Sequence, residues 1–264
     1  MTISLQNRRA FIGGSSQGIG YAIAHKMAEC GASITLTGRN GEKLKVAVKN
    51  LPKAKGQKHD FKVIDFTDLK KLERTLTQYV KDTADMPVSI LVLNSGGPVP
   101  NSAYKATPPQ YLDYFNAAIM ASQMLVQAFV PAMQAQHWGR IITVASSTAK
   151  QPRIDLGISN TIRAGMVNWA KSLAMELGKD GITVNNLLTG LIFTERLESL
   201  IEMRMKNANL DRNTVVKQMA STIPVGHIGQ PEDMANVAAF LASDLAAYVN
   251  GVNLPVDGGL LSTL

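Results

Sequence analysis

Cysteine is almost absent from this sequence. Cys30 stands alone among 264 residues, which excludes an internal disulfide and is expected of a protein kept in a reducing cytoplasm. Histidine is scarce too, and the four present lack metal-ligand spacing, so no metal site is expected. No apolar run approaches the roughly 18 to 20 residues that a membrane span needs. The N-terminal stretch carries Arg8 and Arg9 and no apolar segment of the signal-peptide kind. No repeat, low-complexity tract or linker interrupts the chain, so residues 1–264 read as a single domain. Charged residues make up only 18%, against 45% hydrophobic ones, the balance of a globular protein with a large core. What charge there is leans positive, at +7. Lysines are densest at positions 43, 45, 49, 53, 55, 58 and 62, interleaved with Leu44, Val46, Val48 and Leu51, as on a helix with a solvated face. No nucleic-acid partner is therefore expected, whereas a phosphate-bearing cofactor or an acidic carrier would suit the surplus.

Short runs rich in Val, Ile and Leu alternate with helical patterns along the whole chain. The strand candidates are Arg9–Gly13, Ser33–Leu36, Phe61–Ile64, Val88–Leu93, Arg140–Val144, Ile182–Leu187 and Asn253–Val256. Between them lie helical patterns over Ile19–Glu29, Glu42–Asn50, Asp68–Lys81, Gln110–Gln136, Thr161–Gly178 and Glu232–Ser243. The strand runs do not alternate with polar residues, as expected when both faces are covered. Right-handed crossovers then give an α/β fold, a doubly wound parallel sheet of about seven strands of the Rossmann type. One segment, 194–224, breaks the rhythm and reads as a helical lid over the site. Its Met203, Met205 and Met219 suit core filling or substrate contact equally.

Just after the first strand comes Gly13-Gly14-Ser15-Ser16-Gln17-Gly18-Ile19-Gly20, with a helix opening at its end. Small residues let the backbone turn sharply beside a pyrophosphate, and the helix N-terminus supplies free N–H groups and a favourable dipole. The second strand ends in Gly38-Arg39, with no acid beside it. An acid there would hold a ribose 2′-hydroxyl; an arginine accommodates a 2′-phosphate, which points to NADP(H).

Gly14-x-x-x-Gly18-x-Gly20, Leu93-Asn94-Ser95-Gly96 and Gly181-Ile182-Thr183-Val184-Asn185 together resemble the short-chain dehydrogenase/reductase family. Thr189-Gly190 and Thr194 follow in the family's order. The tail, Phe240-Leu241-Ala242-Ser243-Asp244 and Val256-Asp257-Gly258-Gly259, is similar to that of 3-oxoacyl-carrier-protein reductases. The resemblance implies cofactor contacts from the glycine loop, Asp65, Phe66, Asn94, Ser95, Gly96, Ile192 and Thr194. It also implies a small-molecule substrate and a homotetramer built on Gln110–Gln136 and Thr161–Gly178. In the latter helix Met166, Trp169, Ala170, Leu173 and Leu177 form an apolar stripe that suits either an interface or the core.

The family's catalytic tetrad is Asn, Ser, Tyr and Lys. In the register set by Pro131 and Ser146, those positions hold Ala118, Ser146, Ser159 and Arg163. Asn116 lies two residues before the family position, about 200° around a helix, and should point away. The run Ser159-Asn160-Thr161-Ile162-Arg163-Ala164-Gly165, with Gly96-Gly97-Pro98-Val99-Pro100, resembles a divergent branch carrying Ser-x-x-x-Arg for Tyr-x-x-x-Lys. A phenol of pKa near 10 can serve as an acid beside a cation, whereas an aliphatic alcohol is far weaker. Arginine can bind a ribose but not release a proton. Losing general acid catalysis should cost about 3–5 kcal/mol of transition-state stabilisation. Lys150, Tyr104 and Ser147 are candidate replacements. The expectation is an NADP(H)-dependent oxidoreductase for a carbonyl/alcohol pair, the alternative an NADP(H)-binding protein without turnover.

Overall fold

Strand and helix formation follow from which residues can be hidden on both sides of a sheet. In the computed structural model, which describes residues 2–54 and 56–263, the central strands are almost wholly buried, their apolar residues interspersed with buried polar ones such as Thr35, Thr143 and Asn185. These strands are β1 (Arg9–Ile12), β2 (Ser33–Gly38), β4 (Val88–Leu93), β5 (Gly139–Ser146) and β6 (Ile182–Thr189), flanked by β3 (Asp60–Val63) and β7 (Asn253–Val256). All pair in parallel, in the order β3-β2-β1-β4-β5-β6-β7. The chain is thus a seven-stranded Rossmann-type α/β sheet. Because the order reverses between β1 and β4, the crevice at their carboxyl ends is where such sheets take ligands.

Successive strand residues face opposite layers. Ile12 packs with Ile23, Leu36, Met234 and Leu241 under α1 (Gly18–Glu29), α2 (Gly41–Lys49) and α9 (Pro231–Leu241). Its neighbour Phe11 packs on the other face with Leu76, Leu91, Phe129 and Val184. There the layer is α3 (Leu69–Asp82), α5 (Ala121–Ala135) and α6 (Gly157–Leu177). Phe11 meets Tyr79 and Phe129 at ring centroid distances of 5.5 and 5.0 Å, so three aromatics anchor this face. Of the lysine-rich stretch, α2 keeps Leu44 and Ala47 inside and Lys43, Lys45 and Lys49 outside. Val46 is exposed with the lysines, and Lys55 lies outside the described residues.

The helix expected over Gln110–Gln136 is in fact α4 (Pro108–Phe115), a π turn (Asn116–Met120) and α5. Over Pro108–Ala135 this run is long and apolar enough to cross a membrane by length and composition. Its apolarity has another use here, since Leu125, Val126, Phe129 and Met133 fill the core. The second long helix starts four residues before Thr161, at Gly157, where a Cβ would lie 2.3 Å from the Ala103 nitrogen. Its apolar stripe belongs to the interior, which removes it as an interface: Met166, Ala170, Leu173 and Leu177 are buried. Trp169 donates to Gln123 Oε1 at 2.9 Å.

Segment 194–224 forms α7 (Glu195–Ala208) and α8 (Arg212–Ala220). Thr194 caps α7 by accepting from the Leu197 amide, and Glu195 and Glu198 occupy its first turn, where negative charge meets the positive end of the helix dipole. The methionines part ways. Met219 is buried and Met205 packs beside it, while Met203 reaches the cavity below.

Candidate active site

The glycine loop crosses the carboxyl end of β1. Gly14 and Gly18 adopt φ of +52° and +59°, conformations that side chains disfavour. A Cβ on Gly20 would fall 2.4 Å from the Gly14 carbonyl oxygen, so α1 can pack this closely only on glycine. Asn94 Nδ2 donates to the carbonyls of Gly13 and Gly14, both at 3.2 Å. Asn94 thus fastens the loop to β4. Gln17 at the α1 N-cap makes no side-chain capping bond, and no acid occupies the first turn, which leaves N–H groups for an anion. The Ser15 hydroxyl turns away from the groove, so any contact from this residue to a ligand is through its backbone. Fully buried, it donates to the Ile12 carbonyl at 2.7 Å and accepts from the Thr37 amide at 2.9 Å.

From this loop a groove of about 780 Å³ runs toward β2 and β3, past Ser16, Arg39, Asp65, Phe66 and Ser95. Arg39 is exposed at its edge. Asp65 Oδ1 accepts from the amide and hydroxyl of Thr67 at 2.9 and 2.8 Å. Those bonds, with the Arg39 charge, hold its carboxyl below the usual range against partial burial. The Ser95 hydroxyl is buried and has no partner among the described residues. Free amides, a cation and an orphaned hydroxyl along one groove fit a dinucleotide bearing an extra phosphate.

The groove continues into a cavity of about 690 Å³ between the β4–α4 and β5–α6 loops and α7. Ser146, Ser147, Thr148, Ser159, Arg163, Ile192 and Thr194 all line it. Arg163 is buried; Nη1 donates to the Val144 carbonyl at 2.8 Å and Nη2 to that of Gly96. Tyr114 donates to the same Gly96 oxygen at 3.0 Å, its ring 5.6 Å from the guanidinium. Ser146 Oγ accepts from the Thr148 amide at 3.2 Å and the Thr148 hydroxyl at 3.1 Å. Thr148 Oγ1 in turn lies 3.4 Å from Ser159 Oγ.

Two expected positions lie elsewhere. Lys150 is exposed and outside the cavity wall, because the 3₁₀ turn Ser147–Ala149 swings it outward; it is withdrawn as a proton donor. Tyr104, 97% exposed, is withdrawn too. Asn116 belongs to neither cavity wall. Ala118 is buried in the π turn against Ile158 and Ile162 and carries no polar group inward. Thr148, Tyr114 and Arg196 were not singled out from sequence. A threonine two residues after a serine, or an arginine just inside a helix, carries no distinctive pattern. Among the described residues no three His, Cys, Asp or Glu side chains are placed to hold a metal ion.

A family model described as enoyl-(acyl carrier protein) reductase matches residues 14–261. The 3-oxoacyl-(acyl-carrier-protein) reductase of Pseudomonas aeruginosa is 31% identical over 258 residues, spanning 98% of this chain and 99% of that one. L-sorbose reductase from Gluconobacter frateurii, solved with NADPH and L-sorbose, superposes with a TM-score of 0.92 at 31% identity over 100% of both chains. A short-chain oxidoreductase from Pseudomonas aeruginosa, described as containing an atypical catalytic center, matches with a TM-score of 0.88 at 28% identity, covering 99% and 100%.

Proposed function

The chain belongs to the short-chain dehydrogenase/reductase family, and we propose that it is an NADP(H)-dependent oxidoreductase acting on a carbonyl/alcohol pair through an atypical hydroxyl site. The amides of the 14–20 loop and α1 take the diphosphate, Arg39 and Ser16 the 2′-phosphate, and Asp65 and Phe66 flank the adenine. Ser95, Gly96 and Arg163 would hold the ribose next to the nicotinamide, and Ile192 and Thr194 would border the same end of the site. NADPH bound there would supply the hydride.

The observation that carries this reading is the row of hydroxyls Ser159, Thr148 and Ser146 opening on the cavity beside Arg163. A hydroxyl has one proton to give and two lone pairs. Both acceptor positions of Ser146 are taken up by Thr148, so its own proton is free for a substrate oxygen. Thr148 has committed its proton to Ser146, and Ser159 is therefore the donor of the next link. These contacts are longer than the ~2.8 Å usual between hydroxyls, as catalytic bonds often are before a ligand tightens them. Ser146 hydrogen-bonds the carbonyl oxygen and polarises it. Ser159 resupplies the row from solvent. Arg163, always a cation, anchors the ribose and adds positive potential without exchanging protons. With no strong acid, such a site favours carbonyls that are already activated.

The same reading places a homotetramer in the cytoplasm. The outward side of α4 and α6, with exposed Leu112, Phe115 and Met175, supports self-association better than the buried stripe of α6.

Transfer of deuterium from both stereoisomers of 4-deuterated NADPH to a panel of ketones, dicarbonyls, quinones and 3-oxoacyl thioesters tests the activity. Label should appear in a product and vanish with Ser146→Ala. NADPH binding without label in any product would make the protein a cofactor binder without turnover.

A further inference from the structure

The cavity wall is unbalanced in charge. Among the described residues three guanidiniums line it, from Arg153, Arg163 and Arg196, against a single carboxylate, Asp155. That carboxylate is engaged already: Arg153 Nε and Nη2 lie 3.4 Å from its two oxygens. Arg163 donates to two backbone carbonyls and the Met166 sulfur, and Arg196 Nη2 to the Pro98 carbonyl at 2.8 Å. Neither has a carboxylate within 4.0 Å among the described residues.

Arg196 is set there by a specific device. A Cβ on Gly97 would fall 2.2 Å from Arg196 Nη1, so the guanidinium crosses the β4–α4 loop only because that residue is glycine. Thr194, the α7 cap, lies against Gly18 on the phosphate-loop side. Two residues on, Arg196 reaches instead to Gly97 and Pro98, on the rim of the Ser146 cavity. Arg196 is exposed at the rim; the desolvation it does suffer, aided by Arg163 and opposed by the Tyr114 phenol, pulls its pKa below the arginine range, and an arginine so placed remains a cation. Two like charges facing one cavity, with low-dielectric walls between them, attract an anion strongly. The rest of the wall includes Val99, Leu200, Met203, Leu260 and Leu261, which suits an apolar body.

We propose that Arg196 receives the carboxylate of the substrate, which is a small oxo acid with an apolar side chain. This rests on the oxidoreductase reading of the site. Carboxylate and guanidinium pair through two parallel N–H···O bonds, and that pairing would hold the neighbouring carbonyl over Ser146. An anion at Arg196 could also come from the cofactor diphosphate, so the two sources must be told apart.

The test is calorimetric titration of the full chain saturated with NADP⁺, so that nothing turns over. The probes are 2-oxo and 3-oxo acids of four to eight carbons, each paired with its methyl ester. At least one acid should bind 10-fold or more tightly than its ester. Arg196→Gln should abolish that preference while NADP⁺ affinity stays within twofold, and Arg196→Lys should restore part of it. If no acid outbinds its ester, the inference is overturned. It is equally overturned if Arg196→Gln weakens NADP⁺ binding and leaves the acid preference intact, which assigns the guanidinium to the diphosphate. An acid preference without deuterium transfer would instead defeat the oxidoreductase reading and leave the anion site standing.

Discussion

Thr148 donates its hydroxyl proton to Ser146 Oγ across 3.1 Å, while its backbone amide reaches the same oxygen at 3.2 Å. The two bonds do different things. The amide alone would orient Ser146, but only the hydroxyl can pass a proton to it. Thr148→Val keeps the shape and the amide and removes the hydroxyl. It should lower kcat by about 10-fold, a small part of the 10²–10⁴ typical of acid–base catalysis, with KM and NADPH affinity unchanged. Thr148→Ser should recover most of the rate. Steady-state kinetics beside an NADPH fluorescence titration decide it. A fall in cofactor affinity or melting temperature to match the rate would reduce Thr148 to a packing residue.

Arg39 gives a second expectation. The groove offers it no ion pair among the described residues beyond the field of Asp65, so its fork is available for a phosphate. Hydrogen bonds to charged groups are worth about 1.5–3 kcal/mol, or roughly 10–100-fold in affinity. Arg39→Ala should weaken NADPH by that factor and leave NADH nearly untouched. Parallel fluorescence titrations with the two dinucleotides provide the measurement, and equal losses for both would remove Arg39 from the 2′-phosphate.

How far the sequence could carry these assignments depended on how sharply each position constrains its residue. Gly14, Gly18 and Gly20 stand where a positive φ or a close backbone approach leaves no alternative, so the loop was legible. The strand Val88–Leu93, hidden on both faces, was placed to the residue, whereas β2, β5 and β6 run one or two residues beyond their expected ends. Helix ends were not placed to the residue, because Gly157 opens α6 for a tertiary reason, its approach to Ala103. Lys150 was misjudged because its direction depends on a single 3₁₀ turn that no periodicity announces. The inward turn of the Ser15 hydroxyl was not legible either, because a short side chain in such a loop can bond to nearby backbone as readily as face outward. Arg196 became visible only once α7 was seen to lie across the β4–α4 loop.

The last expectation concerns pH and the rim of the sheet. His59 Nδ1 must accept, since its partner is the Ile34 amide at 3.1 Å, so the ring proton sits on Nε2 and goes to the Pro52 carbonyl at 2.9 Å. A second proton would face the Ile34 N–H and break that bond. Burial lowers the His59 pKa, with Lys53 and Arg9 assisting and the Pro52 bond and Asp60 opposing. The folded value therefore lies below the unfolded one of about 6.5. Stability from the neutral ring is fully present above that unfolded value and is lost as pH falls through the folded one. Urea midpoints measured from pH 8 to pH 5 should decline more steeply for the wild type than for His59→Gln, which has no proton to gain. Parallel curves would mean that His59 titrates alike in the folded and unfolded chains, and that its two backbone bonds do not select the neutral ring.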